Sequence, residues 1–177
     1  MISQNTLKYG FIAALVNIVI AIILYMLGPS SLGSGMFGGI IFMGINLIVT
    51  IIVLSILGAR IRKDEGGLIT FKKMFINLLV MVAVMLVVGS LFGYLLYGVI
   101  DPEWMEQAKE MALENMYQYK DQMPEASFED TIKRMEDGFD TSLGNTLKQL
   151  LGSFILWTIF SLILAAILKK KEPDFAE

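Results

Sequence analysis

Four apolar stretches constrain this chain more than any other feature. They cover residues 10–27, 36–57, 75–100 and 150–168, and each has the length, about 20 helical residues, that crosses the hydrocarbon core of a bilayer. None contains Lys, Arg, Asp, Glu or His, so no ionisable side chain opposes insertion into lipid. The sequence therefore predicts an integral membrane protein with four transmembrane helices.

The composition limits the chemistry that this protein can perform. The 177 residues are 55% hydrophobic, which predicts one small membrane domain over 1–177 whose apolar surface faces lipid or partner helices. Cys and His are absent, which excludes disulfides, thiolate nucleophiles, Ser–His pairs and the usual zinc and haem ligands. We expect no cofactor, no metal, no nucleic-acid partner and no enzymatic activity.

Basic and acidic residues are segregated along the sequence. Five cations lie in the 58–74 loop and three lysines follow the fourth span, whereas 101–148 carries twelve acidic and five basic residues. Because cationic flanks stay cytoplasmic, we predict a multi-pass membrane protein with both termini inside and 101–148 outside. A cleaved signal peptide is the alternative for the first span. Its apolar run is longer than a typical h-region, and Pro29-Ser30-Ser31 is not an A-x-A-like cleavage site.

The cations of the 58–74 loop are predicted to lie at headgroup depth. There each can gain about 1 kcal/mol from anionic lipid, so we interpret them as lipid-headgroup contacts. The five residues are Arg60, Arg62, Lys63, Lys72 and Lys73.

Residues 101–148 have the pattern of two amphipathic helices. Apolar residues recur at helical spacing on both sides of Pro124; Pro102 marks the first helix start, and Ser127 is the predicted N-cap of the second. The predicted fold class is all-α: a polytopic membrane protein with four transmembrane helices and an extracytoplasmic two-helix insertion between helices 3 and 4. Methionine supplies adaptable apolar surface, and we predict that the apolar stripes of the insertion dock either on a partner or on the membrane ends of the protein's own spans. The candidate partner surface is made of Trp104, Met111, Met116, Phe128 and Met135.

Acidic residues also cluster on these two predicted helices. Clustered carboxylates can bind calcium, but Asp137-Gly138-Phe139-Asp140 lacks the residue order of an EF-hand loop. We interpret the clusters as solvated helix faces.

A few small or polar residues in the spans are candidates for helix packing. Asn17 and Asn46 are expected to form hydrogen bonds between helices, or alternatively to line a polar substrate path. Gly89 and Gly93 form a G-x-x-x-G pair, and Gly35 with Gly39 a second one. We interpret the Gly89 and Gly93 pair as close packing within the chain, with dimerisation as the alternative.

The segment GGLITFKKMF, residues 66–75, carries a family resemblance. With the Met- and Glu-rich 101–148 segment and the final span ending in Lys169-Lys170-Lys171, it resembles the bacterial family called domain of unknown function 4199, which occurs mainly in Bacteroidota. The resemblance covers nearly the whole chain and implies four spans at about this length. Lys72 departs from the pattern, since that family often has glycine or another small residue there. The resemblance implies no activity, cofactor or catalytic residue.

Three functional hypotheses follow. The first is a non-enzymatic subunit that binds, scaffolds or regulates another membrane or envelope protein, with the lipid bilayer and a second copy of the chain as further partners. The second is a small oligomeric transporter or channel, although the spans offer only neutral polar groups where coupled transport usually uses ionisable ones. The third is an enzyme acting on lipid-linked substrates, which would have to use carboxylates alone.

Overall fold

A computed structural model describes residues 2–30 and 35–170 of the chain, and the side chains of all of these except 35–40. The described residues are almost entirely helical. In chain order the elements are α1 (Thr6–Leu27), α2 (Gly35–Asp64), α3 (Phe71–Gly93), a π-helical segment π1 (Tyr94–Ile100), α4 (Pro102–Tyr117), a 3-10 turn (Lys120–Gln122), α5 (Glu125–Phe139) and α6 (Leu143–Leu168).

Four of these helices are long and apolar enough to cross a membrane. They are Thr6–Leu27, Ile41–Asp64, Phe71–Ile100 and Leu143–Leu168. The predicted all-α class with four transmembrane helices is confirmed. Large apolar side chains are exposed along all four, among them Leu15, Ile52, Val87 and Ile163, as expected for surfaces that face lipid rather than water.

Local sequence signals set most helix ends. α2 ends before Gly66 and Gly67, whose φ angles of 81° and 90° are left-handed and favour glycine. The Thr70 hydroxyl accepts a hydrogen bond from the Lys73 N–H at 3.3 Å and caps α3. Pro102 is the first residue of α4. The prediction that Ser127 caps α5 is wrong.

The start of α5 lies earlier because Pro124 begins the turn. The Pro124 carbonyl accepts hydrogen bonds from the N–H groups of Ser127 at 2.9 Å and Phe128 at 3.0 Å. Ser127 is therefore already inside a helix that begins at Glu125.

The described residues fall into two units. The first unit contains the described residues of Met1–Asn17, Ile48–Gly89 and Leu150–Glu177. The second unit contains the described residues of Ile18–Leu47 and Ser90–Gln149. The prediction of one membrane domain over 1–177 stays a prediction.

The core of the first unit is built from parts of α1, α2, α3 and α6. Its fully buried side chains are mostly aliphatic or methionine, and small residues let the helices approach closely. The core includes Ala13, Ala14, Leu54, Ile61, Met74, Leu78, Met81, Val82 and Ala165.

The core of the second unit is made largely by α4. Its buried residues Trp104, Ala108, Ala112 and Met116 recur every four positions and form one stripe. Phe128 of α5 is also buried. Contacts between α4 and α5 and between α4 and π1 hold this unit together.

A π-helix precedes α4. π1 spans Tyr94–Ile100, and the Asp101 N–H donates to the Leu96 carbonyl at 2.9 Å in the i to i−5 pattern. π-helical segments are rare and often mark functional positions.

Candidate functional site

Three aromatic rings meet at the start of α4 in the second unit. The ring of Trp104 stacks on Tyr25 with centroids 6.1 Å apart, and it lies 5.0 Å from the ring of Tyr97. The Trp104 indole N–H donates to the Tyr25 carbonyl at 3.2 Å. The same Trp104 therefore joins the end of α1, π1 and α4.

Asp101 completes this aromatic cluster with two hydrogen bonds. Its Oδ2 accepts from the Tyr25 hydroxyl at 2.8 Å, and its Oδ1 accepts from the Trp104 backbone N–H at 3.1 Å. The carboxylate thus caps α4 and holds Tyr25 at once. Sequence reasoning placed Pro102 at a helix start but missed this role of Asp101, although Asp directly before Pro is an N-cap signal.

Three of the five residues predicted to form a partner surface are buried, and the partner surface itself stays a prediction. Trp104, Met116 and Phe128 are 6%, 6% and 5% exposed and lie inside the second unit. The reason is that α4 and α5 close on each other: the rings of Tyr117 and Phe128 pack edge to face at 5.4 Å. Met111 is exposed and Met135 half-buried.

A groove lies between the end of α4, the 3-10 turn and α5, with a volume of about 530 Å³. Phe128 and Ile132 supply apolar lining, and Tyr117 is exposed at its edge. Charged side chains complete the lining: Lys120, Glu125, Glu129, Lys133 and Glu136. Sequence reasoning missed this groove because it depends on the angle between two helices that lie on either side of a turn.

The far end of α5 is tied to the first turns of α6. The Asn145 side-chain amide donates to the Asp140 carbonyl at 2.8 Å and to the Asp137 carbonyl. Asp140 accepts hydrogen bonds from the Ser142 N–H at 2.8 Å and hydroxyl at 3.0 Å. These bonds from Ser142, the backbone bond first, hold the pKa of Asp140 below its ordinary value.

The clustered carboxylates do not form a metal centre in the part of the chain that the structure describes. No group of three or more Asp and Glu residues there is arranged to hold a metal ion. Asp140 is directed to Ser142 instead, and Asp130 pairs with Arg134 at 2.8 Å.

A second polar cluster lies in the first unit and is centred on Asn77. This side chain is fully buried. Its Oδ1 accepts from the Ser3 N–H at 2.8 Å and from the Thr6 hydroxyl, and its amide donates to the Lys73 carbonyl at 2.6 Å. Asn77 thus fastens the start of α1 to α3. A sequence alone marks Asn77 only as a polar residue in an apolar span.

Asp64 fastens the same end of α1 to α2. Its Oδ2 accepts from the Asn5 amide at 2.8 Å and from the Tyr9 hydroxyl at 2.9 Å. Together with the Asn77 bonds, these contacts secure the N-terminal residues of the first unit to two other helices.

The predicted packing asparagines are both engaged. Asn17 accepts a hydrogen bond from the Thr50 hydroxyl at 3.2 Å, between α1 and α2, and its amide donates to the Ala13 carbonyl at 3.1 Å. Asn46 is half-buried and has an interaction partner. Across the described residues, every buried side-chain nitrogen or oxygen has a hydrogen-bond partner.

The packing role predicted for Gly89 and Gly93 within the chain stays a prediction. A Cβ built at either position meets no described atom within 4 Å. Close approach occurs instead at Gly10, where a Cβ would lie 2.8 Å from Val84 Cβ, and at Gly58, where it would lie 2.6 Å from Leu168 Cδ1. The packing of Gly35 and Gly39 lies outside the described side chains.

The loop cations divide into two groups. Arg60, Lys63 and Lys72 are exposed. Arg62 donates to the Leu168 carbonyl at 3.2 Å, and Lys73 forms an ion pair with Glu65. Headgroup contact stays a prediction for all five, and Lys171, which belongs to the family resemblance, lies outside the described residues.

The four long helices with charge-free apolar stretches, their exposed apolar faces and their internally paired polar groups define a polytopic α-helical membrane protein. The family described as Protein of unknown function (DUF4199) matches residues 8–170. The chain therefore belongs to this family, as the resemblance implied. No curated protein and no solved structure matches the chain.

Proposed function

We propose that this protein is a non-enzymatic membrane subunit that binds, scaffolds or regulates another membrane or envelope protein. The observation that carries the proposal is the groove between α4 and α5, with Phe128 and Ile132 in its lining and Tyr117 at its edge. Grooves with apolar lining and a charged rim suit a peptide segment or helix of a partner. The buried stripe of α4 holds the second unit together and is not available to a partner. The groove is therefore the proposed binding surface.

The charge of the 101–148 segment indicates the chemistry of the partner. Acidic side chains outnumber basic ones by twelve to five there, and the groove itself carries Glu125, Glu129 and Glu136 against Lys120 and Lys133. An apolar segment with basic flanks complements this surface.

The state of the polar groups supports a structural role in the membrane over transport. A transporter needs polar groups that can exchange their partners for solute. In the first unit, Asn77, Thr6 and Thr50 make hydrogen bonds to other parts of the same unit. Such bonds typically serve as links between helices.

A crosslinking experiment tests the groove as the partner site. We expect a photoreactive phenylalanine analogue at Tyr117, which is exposed at the groove, to give one adduct of defined mass in cells. The same analogue at Met111, exposed on α4 but outside the groove lining, should give roughly tenfold less, since interface contacts are local. Equal yields at both positions would contradict the proposal.

A charge-reversal set provides the matched control for this test. Glu125→Lys, Glu129→Lys and Glu136→Lys together should abolish the adduct at position 117, because like charges repel a basic partner. Glu106→Lys, Glu110→Lys and Glu114→Lys change the same charge on exposed positions of α4 and should leave the adduct in place. Loss of the adduct in both sets would indicate that the overall charge of the segment, and not the groove, determines partner binding.

We also propose that the protein lies in the bacterial inner membrane with both termini cytoplasmic. The support is the segregation of cations to the 58–74 loop and the end of α6. The absence of native cysteine allows a clean labelling test. In intact spheroplasts, an impermeant thiol reagent should label Ser127→Cys and not Leu68→Cys.

Both labelling positions are exposed helix or loop sites. In the same loop, Gly66 is a poorer position for the added cysteine than Leu68, because its φ of 81° would be strained by any side chain. Labelling of Leu68→Cys without labelling of Ser127→Cys would contradict the proposed topology and indicate the opposite orientation.

A further inference from the structure

A lysine corner forms in the first unit where the start of α3 meets the end of α6. Ile69 and Lys170 exchange two backbone hydrogen bonds, Ile69 N–H to Lys170 carbonyl at 2.8 Å and Lys170 N–H to Ile69 carbonyl at 3.0 Å. This antiparallel bridge holds Lys169 and Lys170 beside the first turn of α3, which carries Lys72. Residues about 100 positions apart in sequence are thereby brought to one place.

The three lysines of this corner are exposed and are not part of an ion pair between described residues. Lys72, Lys169 and Lys170 are all exposed, and the ion pairs among the described residues are Lys73 with Glu65 and Arg134 with Asp130. Lys169 Nζ lies 6.0 Å from the centroid of the Phe71 ring, a distance compatible with a weak cation–π contact. The corner therefore presents three cations that form no ion pair with a described carboxylate.

An exposed apolar stripe of α6 leads to the same corner. Ile159, Ile163 and Ile167 are spaced four residues apart, lie on one helix face and are 53%, 52% and 68% exposed. The stripe ends one turn before Lys170. Apolar surface that ends in cations matches the polarity of a single phospholipid molecule.

We propose that the lysine corner binds the phosphate of an anionic phospholipid whose acyl chains lie along the α6 stripe. Charge complementarity selects the anion, and the stripe selects a lipid over a free phosphate, because a free phosphate gains nothing from apolar surface. The site differs from the loop set that sequence alone suggested: Lys169 and Lys170 join Lys72, whereas Arg62 and Lys73 are held by Leu168 and Glu65. This proposal does not rest on partner binding at the groove.

Native mass spectrometry of the purified full-length chain tests the site. We expect dioleoyl phosphatidylglycerol to bind roughly tenfold or more tightly than dioleoyl phosphatidylcholine, since each lysine near a headgroup contributes a favourable charge interaction. Replacing Lys72, Lys169 and Lys170 by Gln should remove this preference. Replacing them by Arg should retain it, because the charges persist.

The matched control neutralises three exposed lysines of the second unit, Lys120→Gln, Lys133→Gln and Lys148→Gln. This variant has the same net charge and should keep the wild-type preference for phosphatidylglycerol. An equal loss in both Gln variants, equal binding of the two lipids by the wild type, or loss in the Arg variant would overturn the proposal. Inorganic phosphate that competes as well as phosphatidylglycerol would also overturn it, by showing a site for a free anion.

Discussion

Replacing Gly10 by Leu should lower the free energy of unfolding by about 3 kcal/mol, at the upper end for overpacking a tight contact. The cause is the approach of α1 to α3: a Cβ at Gly10 would lie 2.8 Å from Val84 Cβ and 3.2 Å from the Met81 carbonyl oxygen. Neither atom can move without shifting the α3 backbone or a β-branched side chain. Thermal unfolding in detergent should show a decrease of roughly 10 °C.

Gly89→Leu and Gly93→Leu are the matched controls for Gly10→Leu. A Cβ at these positions meets no described atom within 4 Å, so each change should alter stability by no more than about 0.5 kcal/mol. If these variants unfold early and Gly10→Leu does not, the packing described for α1 and α3 is incorrect. Unchanged stability with a smaller particle size in detergent would assign the two glycines to contacts between copies of the chain.

Trp104→Ala should be the most damaging change in the second unit, with a cost of about 3–5 kcal/mol. Trp104 is 6% exposed, packs against the rings of Tyr25 and Tyr97, and donates its indole N–H to the Tyr25 carbonyl. Its loss leaves a cavity between the end of α1 and π1. The measurement is limited proteolysis within 101–148, which should become rapid while the four spans stay protected.

Two further variants separate the contributions of Trp104. Trp104→Phe keeps an aromatic ring but loses the indole hydrogen bond and part of the buried ring volume, so it should cost about 1–3 kcal/mol, less than Trp104→Ala. Met111→Ala removes an exposed side chain of the same helix and should leave the protease pattern unchanged. Rapid cleavage of Met111→Ala together with protection of Trp104→Ala would mean that Trp104 does not secure α4.

Local signals made several features predictable from sequence. The spans followed from long charge-free runs and the start of α4 from Pro102. Gly66-Gly67 at the end of α2 and Thr70 at the start of α3 are local signals of the same kind. Each of these depends on the backbone or side chain of a few adjacent residues. They are therefore readable without knowing what packs against them.

The inward face of each transmembrane helix was not predictable in the same way. In lipid, both the packed and the exposed faces are apolar, so no hydrophobic stripe marks the interior. Gly10 and Gly89 look equivalent in sequence, yet among the described atoms a Cβ would meet a neighbour at Gly10 and none at Gly89. Likewise Asn77 and Asn46 look alike as single polar residues, and only the fold shows that Asn77 joins Ser3, Thr6 and Lys73.

The candidate site was likewise only partly predictable from sequence. Sequence reasoning found the apolar stripes of α4 and α5 but left open whether a partner or the protein's own helices cover Trp104, Met116 and Phe128, because amphipathicity shows that a face must be covered and not what covers it. The structure covers that face within the second unit. It also creates the groove at Tyr117 and Ile132, and the corner where the bridge from Ile69 to Lys170 brings distant lysines together.

By itself, the sequence determined the solvent, the class and the helix count of this protein, since transfer of charge-free helical segments into lipid depends on composition and length alone. Tertiary structure alone decided which glycines, polar groups and aromatic rings act together. Those choices depend on helix rotation and crossing angle, which arise from contacts between residues far apart in the chain. A helix that faces water has a polar exposed face and an apolar buried face, so its sequence shows which face is buried. A helix that faces lipid is apolar on both faces, so only its packing against other helices decides which face is buried.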